Sequence, residues 1–436
     1  MWANESIFYH IYPLGFCGAE DRNDFYSEPK NRIEKIGDWI NQIKKVGANA
    51  LYLGPIFEST AHGYDTADYF KIDRRLGSNK DFKIVAEKLH QNGIKIVLDG
   101  VFNHVGRNFW AFKDVKEQKG YSKYCDWFNI HWDCNNCYND GFCYDGWEGC
   151  YDLVRLNLKN PEVKNHIFHA IKTWVEDYNI DGLRLDVAYC LDKDFLKELR
   201  SFCKNLKSDF WLIGETLHGD YNQWMNDEML DSVTNYECYK GLFSSYNSRN
   251  MFEIAHSLGR QFADTSQSIY KGKHLYSFLD NHDVSRISSI LENKKLLKSI
   301  YTLLFSMPGI PSVYYGSEWG IDGDKKQGDK ILRPYLDSPY ENDLTNHIEA
   351  LSKIRTENLA LKYGNYSQLE LTNEFFSFVR ELDGQTIVCA INISENDFIL
   401  KYNNYEMNIP PCSSHIFSNG KCLLSENAYK DTQAYA

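Results

Sequence analysis

The stretch KDFKIVAEKLHQNGIKIVLDGVFN, residues 80–103, contains one complete repeat of the pattern that runs through this chain. Its first half places apolar residues at helical spacing, and its second half is a short apolar run typical of a buried strand. That run leads into Asp99 and Asn103, although polar groups in a dry interior are costly unless they are hydrogen-bonded. The stretch predicts a helix followed by a strand whose carboxyl end carries polar side chains.

The same pairing of a short apolar strand with a helical segment recurs along the chain. Alternating strands and helices imply a parallel sheet, and eight such units imply a closed (β/α)₈ barrel of the TIM type. An open, doubly wound sheet is the alternative, but eight repeats favour closure. The eight predicted strands are 7–13, 48–57, 94–103, 182–188, 211–215, 231–237, 275–281 and 311–316.

Two regions depart from the repeat and predict further domains of this α/β protein. The long gap after the third strand contains the Cys-rich, aromatic segment 105–150, which we interpret as a small inserted domain on a loop of the barrel. The barrel would then comprise residues 1–104 and 151–356. After that point, short strands joined by turn signals predict an antiparallel β-sandwich over 357–436.

Composition and charge narrow the class of protein. The chain has 436 residues, which is more than one hydrophobic core usually holds, so several domains are expected. A net charge of −12 disfavours nucleic acid as a partner. The first residues lack the pattern of a secretory signal, and the most apolar stretch, 300–315, is broken by two prolines. We expect a cytoplasmic protein with no membrane partner, and a monomer by default.

Five of the twelve cysteines lie close together in the predicted insertion. Their spacing matches no standard zinc pattern, because a single C-x-x-C pair lacks a second pair of ligands. Structural zinc, disulfides and ordinary reduced thiols remain open, and the last is favoured. The five are Cys125, Cys134, Cys137, Cys143 and Cys150.

Polar residues gather at the carboxyl ends of the predicted strands. The stretch SFLDNHDVSR, 277–286, is the clearest case, since apolar residues run straight into carboxylates and a histidine. In a parallel barrel all these ends share one face, which is where such barrels carry their active sites. The set comprises Asp99, Asn103, His104, Arg184, Asp186, Glu215, Asn281, His282 and Asp283.

Several carboxylates beside an arginine suit the cleavage of a glycosidic bond. One carboxylate attacks the anomeric carbon, and a second, kept protonated, gives its proton to the leaving oxygen. Crowding raises the pKa of at least one of the two, and the arginine keeps the other ionised. For any one of these residues alone, a capping or surface role is the simpler reading; the catalytic reading rests on their convergence.

Six segments resemble motifs of the alpha-amylase family of glycoside hydrolases, in the family's order. Four are the strand-end motifs DGVFNH (99–104), GLRLDVAYC (182–190), GET (214–216) and FLDNHD (278–283). Two more are HGYDTADY (62–69) and MPGIPSVYYGSE (307–318). The resemblance spans the barrel, the insertion and the C-terminal domain, and it implies an enzyme that cleaves α-1,4-glucosidic bonds of maltooligosaccharides and other α-glucans.

The resemblance also implies a role for each matching residue. Asp186 would be the nucleophile, Glu215 the general acid and base, and Asp283 the residue that stabilises a distorted sugar ring. Arg184 would orient Asp186, with Asp99 as its structural partner. The substrate-binding residues implied are Tyr64, His104 and His282 at the cleaved sugar and Asp329 and Arg333 one subsite further out. Trp147 and Trp224 are sugar platforms or packing residues; the sequence does not separate the two.

Departures from the family pattern leave the reaction partly open. Tyr189, Cys190 and Ser317 replace residues typical of secreted amylases, which points to an intracellular enzyme acting on short maltodextrins or cyclodextrins. Val187 occurs in members that tolerate α-1,6 bonds. A 4-α-glucanotransferase and an inactive amylase-like binding protein are the alternatives to a hydrolase.

No cofactor is needed for this chemistry, but many members of the family bind calcium. The ion lies between the barrel and the insertion, and an asparagine at the position of Asn103 is one of its ligands. Calcium prefers oxygen ligands. Asn103 is therefore the expected ligand here, while the other ligands cannot be placed from the sequence.

Overall fold

The eight predicted strands close into one barrel. The computed structural model describes residues 1–428, and its largest sheet holds eight parallel strands. In chain order these barrel strands, numbered 1 to 8 below, are Phe8–Ile11, Ala50–Leu53, Lys95–Gly100, Gly182–Leu185, Trp211–Gly214, Ser232–Val233, Tyr276–Phe278 and Ile310–Tyr314.

Strand pairing shows that the sheet is a ring. Each strand lies beside its neighbour in the chain, and strand 8 returns to strand 1, where Phe8 faces Ser312. The last gap, between strands 6 and 7, is closed by a parallel bridge from Thr234 to Tyr276. The predicted (β/α)₈ barrel is confirmed, and the open sheet is not formed.

Helices cover the outside of the ring, and several of them begin at a residue whose side chain caps the helix. The helix Asn79–Gln91 starts with a capping box between Ser78 and Asp81, and it buries Phe82 and Leu89 against the barrel. The α-helices are Pro13–Phe16, Glu34–Asp38, Ile40–Lys45, Asn79–Gln91, Trp110–Gln118, Pro161–Tyr178, Lys193–Leu206, Tyr236–Asn247, Phe252–Phe262, Ile287–Ile290, Leu297–Ser306, Asp343–Glu357 and Leu359–Tyr363. Among residues 1–428, no helix combines the length and the apolar character needed to cross a membrane.

The predicted insertion after strand 3 is a small, mostly antiparallel unit. The strand Cys150–Arg155 pairs with His104–Gly106 on one side and with Gly146–Trp147 on the other. A second pair joins Ile130–His131 to Cys143–Tyr144. The insertion therefore starts and ends at the carboxyl face of the barrel, above the strand ends.

The loop before the insertion is held close to it. A further antiparallel pair, Phe57–Ser59 with Thr66–Ile72, follows strand 2 and carries the segment HGYDTADY. Gly106 lies so near this loop that a β-carbon there would approach the Asp65 carbonyl oxygen to 2.3 Å. A side chain at position 106 would push the loop, and Tyr64 with it, away from the barrel mouth.

The C-terminal domain is the predicted β-sandwich. Its larger sheet contains Asn365–Leu371, Phe375–Leu382, Gln385–Asn392, Ser413–Ser418 and Lys421–Asn427, and its smaller sheet contains Phe398–Tyr402 and Tyr405–Ile409. A separate apolar core that includes Val388, Leu400 and Phe417 lies between the sheets. The domain boundaries at residues 104, 150 and 356 stay predictions, and residues 429–436 lie outside the described part.

A buried carboxylate holds the amino end of strand 4. Asp181 accepts hydrogen bonds from Lys207 Nζ at 2.6 Å, Lys95 Nζ at 2.9 Å and the Ile96 amide at 2.9 Å, and it pairs with His90 Nε2 at 2.9 Å. Burial by itself raises the pKa of Asp181, but these donors outweigh it and hold the pKa well below its ordinary value.

Asp181→Asn is therefore expected to lower the free energy of unfolding by about 3 kcal/mol at pH 7, since it removes the buried anion that the partly exposed Lys95 and Lys207 pair with. A depressed carboxyl pKa stabilises the fold above the unfolded value of about 4, and this contribution is lost as the pH falls through the folded pKa. The difference from wild type should thus shrink on acidification, as measured by urea unfolding between pH 7 and pH 3. Asp177→Asn, on an exposed side chain nearby, is the matched control and should change little.

Candidate active site

The polar strand ends meet around one buried arginine. Arg184, on strand 4, donates through Nη1 to Asp99 Oδ1 at 2.9 Å and to Asp186 Oδ1 at 2.9 Å. Its Nη2 lies 2.9 Å from Glu215 Oε2. Asp99 also accepts hydrogen bonds from the Tyr52 and Tyr64 hydroxyls. The oxygens of Asp99 therefore bond Arg184 and two tyrosines, which makes Asp99 the structural partner of the arginine.

The backbone after Asp186 takes an unusual conformation that serves Glu215. Val187 has φ 41° and ψ 47°, a left-handed conformation that is costly for a β-branched residue. This conformation aims the Val187 amide at Glu215 Oε2, with a nitrogen-to-oxygen distance of 2.9 Å. Glu215 is therefore held by both Arg184 and the chain that carries Asp186.

Burial controls the protonation of this pair. Burial raises the pKa of both Asp186 and Glu215, the Arg184 charge opposes that rise, and the nearby carboxylates reinforce it. Because the negative charge of either carboxylate raises the pKa of the other, the two titrate together and retain a proton more readily than isolated carboxyls do.

The polar residues of the stretch 277–286 have two kinds of role: some make structural hydrogen bonds, and others line the cavity. Asp280 faces away from the cavity, where its oxygens accept from the Ser317 hydroxyl at 2.8 and 2.9 Å and from the Ile287 amide. Asn281 Oδ1 accepts from the amides of Asp283 and Val284, which shapes the turn. Ser317, which departs from the family pattern, is thus a hydrogen-bond donor to a buried carboxylate.

Asp283 is held by one histidine and one arginine from different loops. His282 Nε2 lies 2.8 Å from Asp283 Oδ2, and Arg333 Nη2 donates to Asp283 Oδ1 at 2.9 Å. Burial alone would raise the pKa of Asp283, but His282, Arg333 and Arg184 hold it well below its ordinary value. Asp283 therefore stays ionised, whereas Asp186 and Glu215 together retain a proton.

These side chains line a cavity of about 410 Å³ at the carboxyl face of the barrel. The cavity contains all three predicted catalytic residues and most of the predicted sugar contacts. Its lining residues are His62, Tyr64, His104, Trp147, Leu153, Asp186, Val187, Tyr189, Glu215, Leu217, Tyr236, Asp283, Val284, Asp329 and Arg333.

His104 and Tyr64 lie on one side of this cavity. Burial lowers the pKa of His104 to about 3, so the ring is neutral, and its Nε2 lies 3.8 Å from Asp186 Oδ2 without a hydrogen-bond partner. The Tyr64 ring is nearly parallel to His282 at an angle of 11°, and its hydroxyl contacts His282 Nε2. His104 Nε2 is therefore free to bond a hydroxyl group of a bound molecule.

For some residues, only the structure shows whether the side chain lines the cavity or packs in the core. Trp147 lines the cavity, whereas Trp224 packs against the hydrophobic core. Tyr236 was not predicted, yet it lines the cavity and its hydroxyl accepts from the Asn281 amide nitrogen at 3.0 Å. It follows strand 6, so the rule that polar residues at strand ends point to the site applies to it as well.

Among residues 1–428, Asn103 is not joined by a cluster of acidic side chains, so calcium at Asn103 stays a prediction. Its side-chain Nδ2 contacts His104 Nδ1 at 3.1 Å, and its backbone carbonyl oxygen accepts from the Leu156 amide. Within residues 1–428, no group of three or more Asp, Glu, His or Cys side chains is placed to share a cation. All twelve cysteines are free thiols, including the five in the insertion.

Two further cavities adjoin the first. One of about 400 Å³ shares His62 and Arg333 with it and extends to Tyr12 and Tyr335. Another of about 600 Å³ shares Leu217 and Tyr236 with it. The carboxylates therefore lie in the middle of a cleft that continues on both sides.

Comparison with known proteins gives consistent matches. The family model for the alpha amylase catalytic domain matches residues 10–362. A cyclomaltodextrinase from Thermoanaerobacter pseudethanolicus is 30% identical over 427 residues, covering 93% of this chain and 73% of that protein. An intracellular maltogenic amylase from Bacillus subtilis is 28% identical and covers 90% of this chain and 69% of that protein.

A solved structure is similar over nearly its whole length. The cyclic alpha-maltosyl-(1→6)-maltose hydrolase from Arthrobacter globiformis, in complex with that cyclic sugar, has a TM-score of 0.86 and 26% identity. The match covers 96% of this chain and 99% of that one. Given the barrel, the strand-end carboxylates and the family model, this chain belongs to the alpha-amylase family of glycoside hydrolases.

Proposed function

We propose that this protein is a retaining hydrolase of α-1,4-glucosidic bonds in maltooligosaccharides. The observation that supports this most directly is that Arg184 bonds both Asp186 and Glu215. A guanidinium shared by two carboxylates keeps them close, as direct attack on the sugar requires, whereas an inverting enzyme needs a wider gap for a water molecule.

The proposed reaction has two displacements. Asp186 attacks the anomeric carbon while Glu215 gives its proton to the leaving glucosidic oxygen, and a covalent glycosyl-enzyme forms. Glu215, now ionised, takes a proton from water, and that water breaks the ester. Asp283, kept ionised by the His282 hydrogen bond and by Arg333 and Arg184, stabilises the positive charge on the sugar in each transition state. His104 and Arg333 would bind hydroxyl groups on the donor side.

A second candidate substrate is a cyclic sugar that contains α-1,6 bonds. The structure resembles the cyclic maltosyl-maltose hydrolase with a TM-score of 0.86 over 96% of this chain. The wide cleft has room for a ring as well as a linear chain. A transferase would use the same intermediate and differ only in whether sugar or water attacks it.

Product chromatography over time tests these alternatives. The enzyme would be given maltotriose, maltoheptaose, β-cyclodextrin, pullulan and cyclic maltosyl-maltose in parallel. Short products from the α-1,4 substrates support the proposal, and fastest turnover of the cyclic maltosyl-maltose favours the second candidate. Products longer than the input identify a transferase. If the enzyme releases no product from any of the five substrates, the proposal is contradicted.

No step of this reaction uses a metal ion, although calcium at Asn103 stays a prediction from the family. Because no cluster of carboxylates forms near Asn103 in the described part of the chain, 1–428, we expect treatment with EDTA to leave kcat and the melting temperature unchanged. Calcium added back serves as the control. A loss on chelation that calcium restores and magnesium does not would contradict this expectation. A monomeric, cytoplasmic protein likewise stays a prediction, and light scattering would test the first part.

A further inference from the structure

A second, much smaller cavity lies inside the barrel beneath the catalytic residues. Its volume is about 20 Å³, which is room for one water molecule. It is separate from the substrate cavity, although Tyr236 lines both, and its own lining includes His282 and Arg184. The lining residues are His10, Tyr52, Val97, Arg184, Trp211, Ile213, Thr234, Tyr236, Tyr276, Phe278, Asn281 and His282.

Three of the lining side chains carry a buried polar atom without a hydrogen-bond partner. These atoms are His10 Nε2, His282 Nδ1 and Trp211 Nε1, and all three residues are at most 2% exposed. Buried polar atoms are almost always bonded to protein or to ordered water. A cavity of this size beside three such atoms is a site for one bound water molecule.

The bonds of His282 define what this water must do. His282 Nε2 faces the Asp283 carboxylate and the Tyr64 oxygen, whose own proton goes to Asp99. Both neighbours need a donor, so we assign the ring hydrogen to Nε2. In that tautomer His282 Nδ1 carries a lone pair and needs a hydrogen-bond donor from the side of the small cavity.

His10 lies next to His282, but no direct hydrogen bond joins the two rings. Its ring stacks on Tyr52 with centroids 4.2 Å apart and meets the His282 ring edge-on at 5.2 Å. A water in this cavity that accepted from Trp211 Nε1 and donated to His10 Nε2 and His282 Nδ1 would give all three atoms a partner. Burial, the largest cause, and the charge of Arg184 lower the pKa of His10, which leaves it neutral and able to accept.

The geometry points to His10 as a positioning residue that acts through one buried water: it fixes the tautomer of His282 and thereby the orientation of Asp283. This inference rests on the proposed role of Asp283 in the transition state. It assigns His10 a part in the reaction although the side chain never reaches the substrate cavity.

A matched pair of variants separates this role from simple packing. His10→Phe keeps a flat ring but loses Nε2, and we expect kcat for maltotriose to fall about 10- to 100-fold, because Asp283 loses its alignment. KM should change much less, since the substrate cavity is untouched. His10→Gln, which restores a polar atom at that depth, should recover most of the lost kcat.

A crystal structure of the wild-type protein at high resolution tests the water itself. We expect one density peak within hydrogen-bonding distance of His10 Nε2 and His282 Nδ1, and its loss in His10→Phe. If His10→Phe does not fold, Trp211→Phe removes one donor to the water and should also lower kcat without a matching rise in KM.

The inference is overturned if the wild-type cavity holds no density, or if a folded His10→Phe variant has lower thermal stability but an unchanged kcat. Failure of the proposed function would appear differently. In that case wild type would cleave no α-glucan, while the density between His10 and His282 could still be observed.

Discussion

Asp186→Asn is expected to lower kcat on maltotriose by about four to six orders of magnitude, because members of a catalytic unit fail together when one is removed. The asparagine keeps the size of the side chain and can still accept from Arg184, so the fold should be preserved. It cannot form the glycosyl ester. The measurement is product release by chromatography with enough enzyme to detect residual turnover.

The exposed Asp194→Asn, on the helix that follows the same strand, makes the same charge change and should retain wild-type kcat. Asp186→Ala with added azide gives a sharper test of the role. With α-maltosyl fluoride as substrate, azide would attack from the side that Asp186 occupies and yield the β-azide by a single inversion. Wild-type kcat in Asp186→Asn would rule out Asp186 as the nucleophile.

Glu215→Gln is expected to have an effect that depends on the leaving group. Loss of a general acid typically costs about two to four orders of magnitude, and maltotriose, whose sugar leaving group needs a proton, should show it. Fluoride leaves without a proton, so α-maltosyl fluoride should still form the glycosyl-enzyme. The second step also needs Glu215, so a burst of one fluoride per enzyme should precede slow turnover.

The pH profile gives an independent check on Glu215. Since burial raises the pKa of Glu215, its proton is present below that raised value and is lost as the pH rises through it. The alkaline limb of kcat/KM for maltotriose should therefore lie above the range of an ordinary carboxyl. Glu228→Gln, on an exposed side chain, is the control. Equal losses on maltotriose and on the fluoride would contradict the assignment to acid catalysis.

Much of the fold could be predicted because it depends on local pattern. A strand buried on both faces must be an apolar run, and a helix against it must repeat every three to four residues, so both are visible in stretches such as 80–103. The rule that parallel strands end on one face then brought Asp186, Glu215 and Asp283 together before any coordinates were known.

The parts that could not be predicted depend on contacts between distant segments. Trp147 and Trp224 are alike in the sequence, and only packing places one in the cavity and the other against the core. Calcium at Asn103 depends on ligands from elsewhere in the chain, which no local pattern identifies, and within residues 1–428 no group of three or more Asp, Glu, His or Cys side chains forms to complete such a site.

The sequence by itself determined the order of the eight units and which residue types stand at their ends, because periodicity and strand polarity are properties of short segments. Tertiary structure alone decided that one arginine serves three carboxylates, that the left-handed Val187 aims its amide at Glu215, and that His10 lies under His282. The physical reason is that protonation and alignment depend on burial and on distances of a few ångströms, which are set only when the barrel closes.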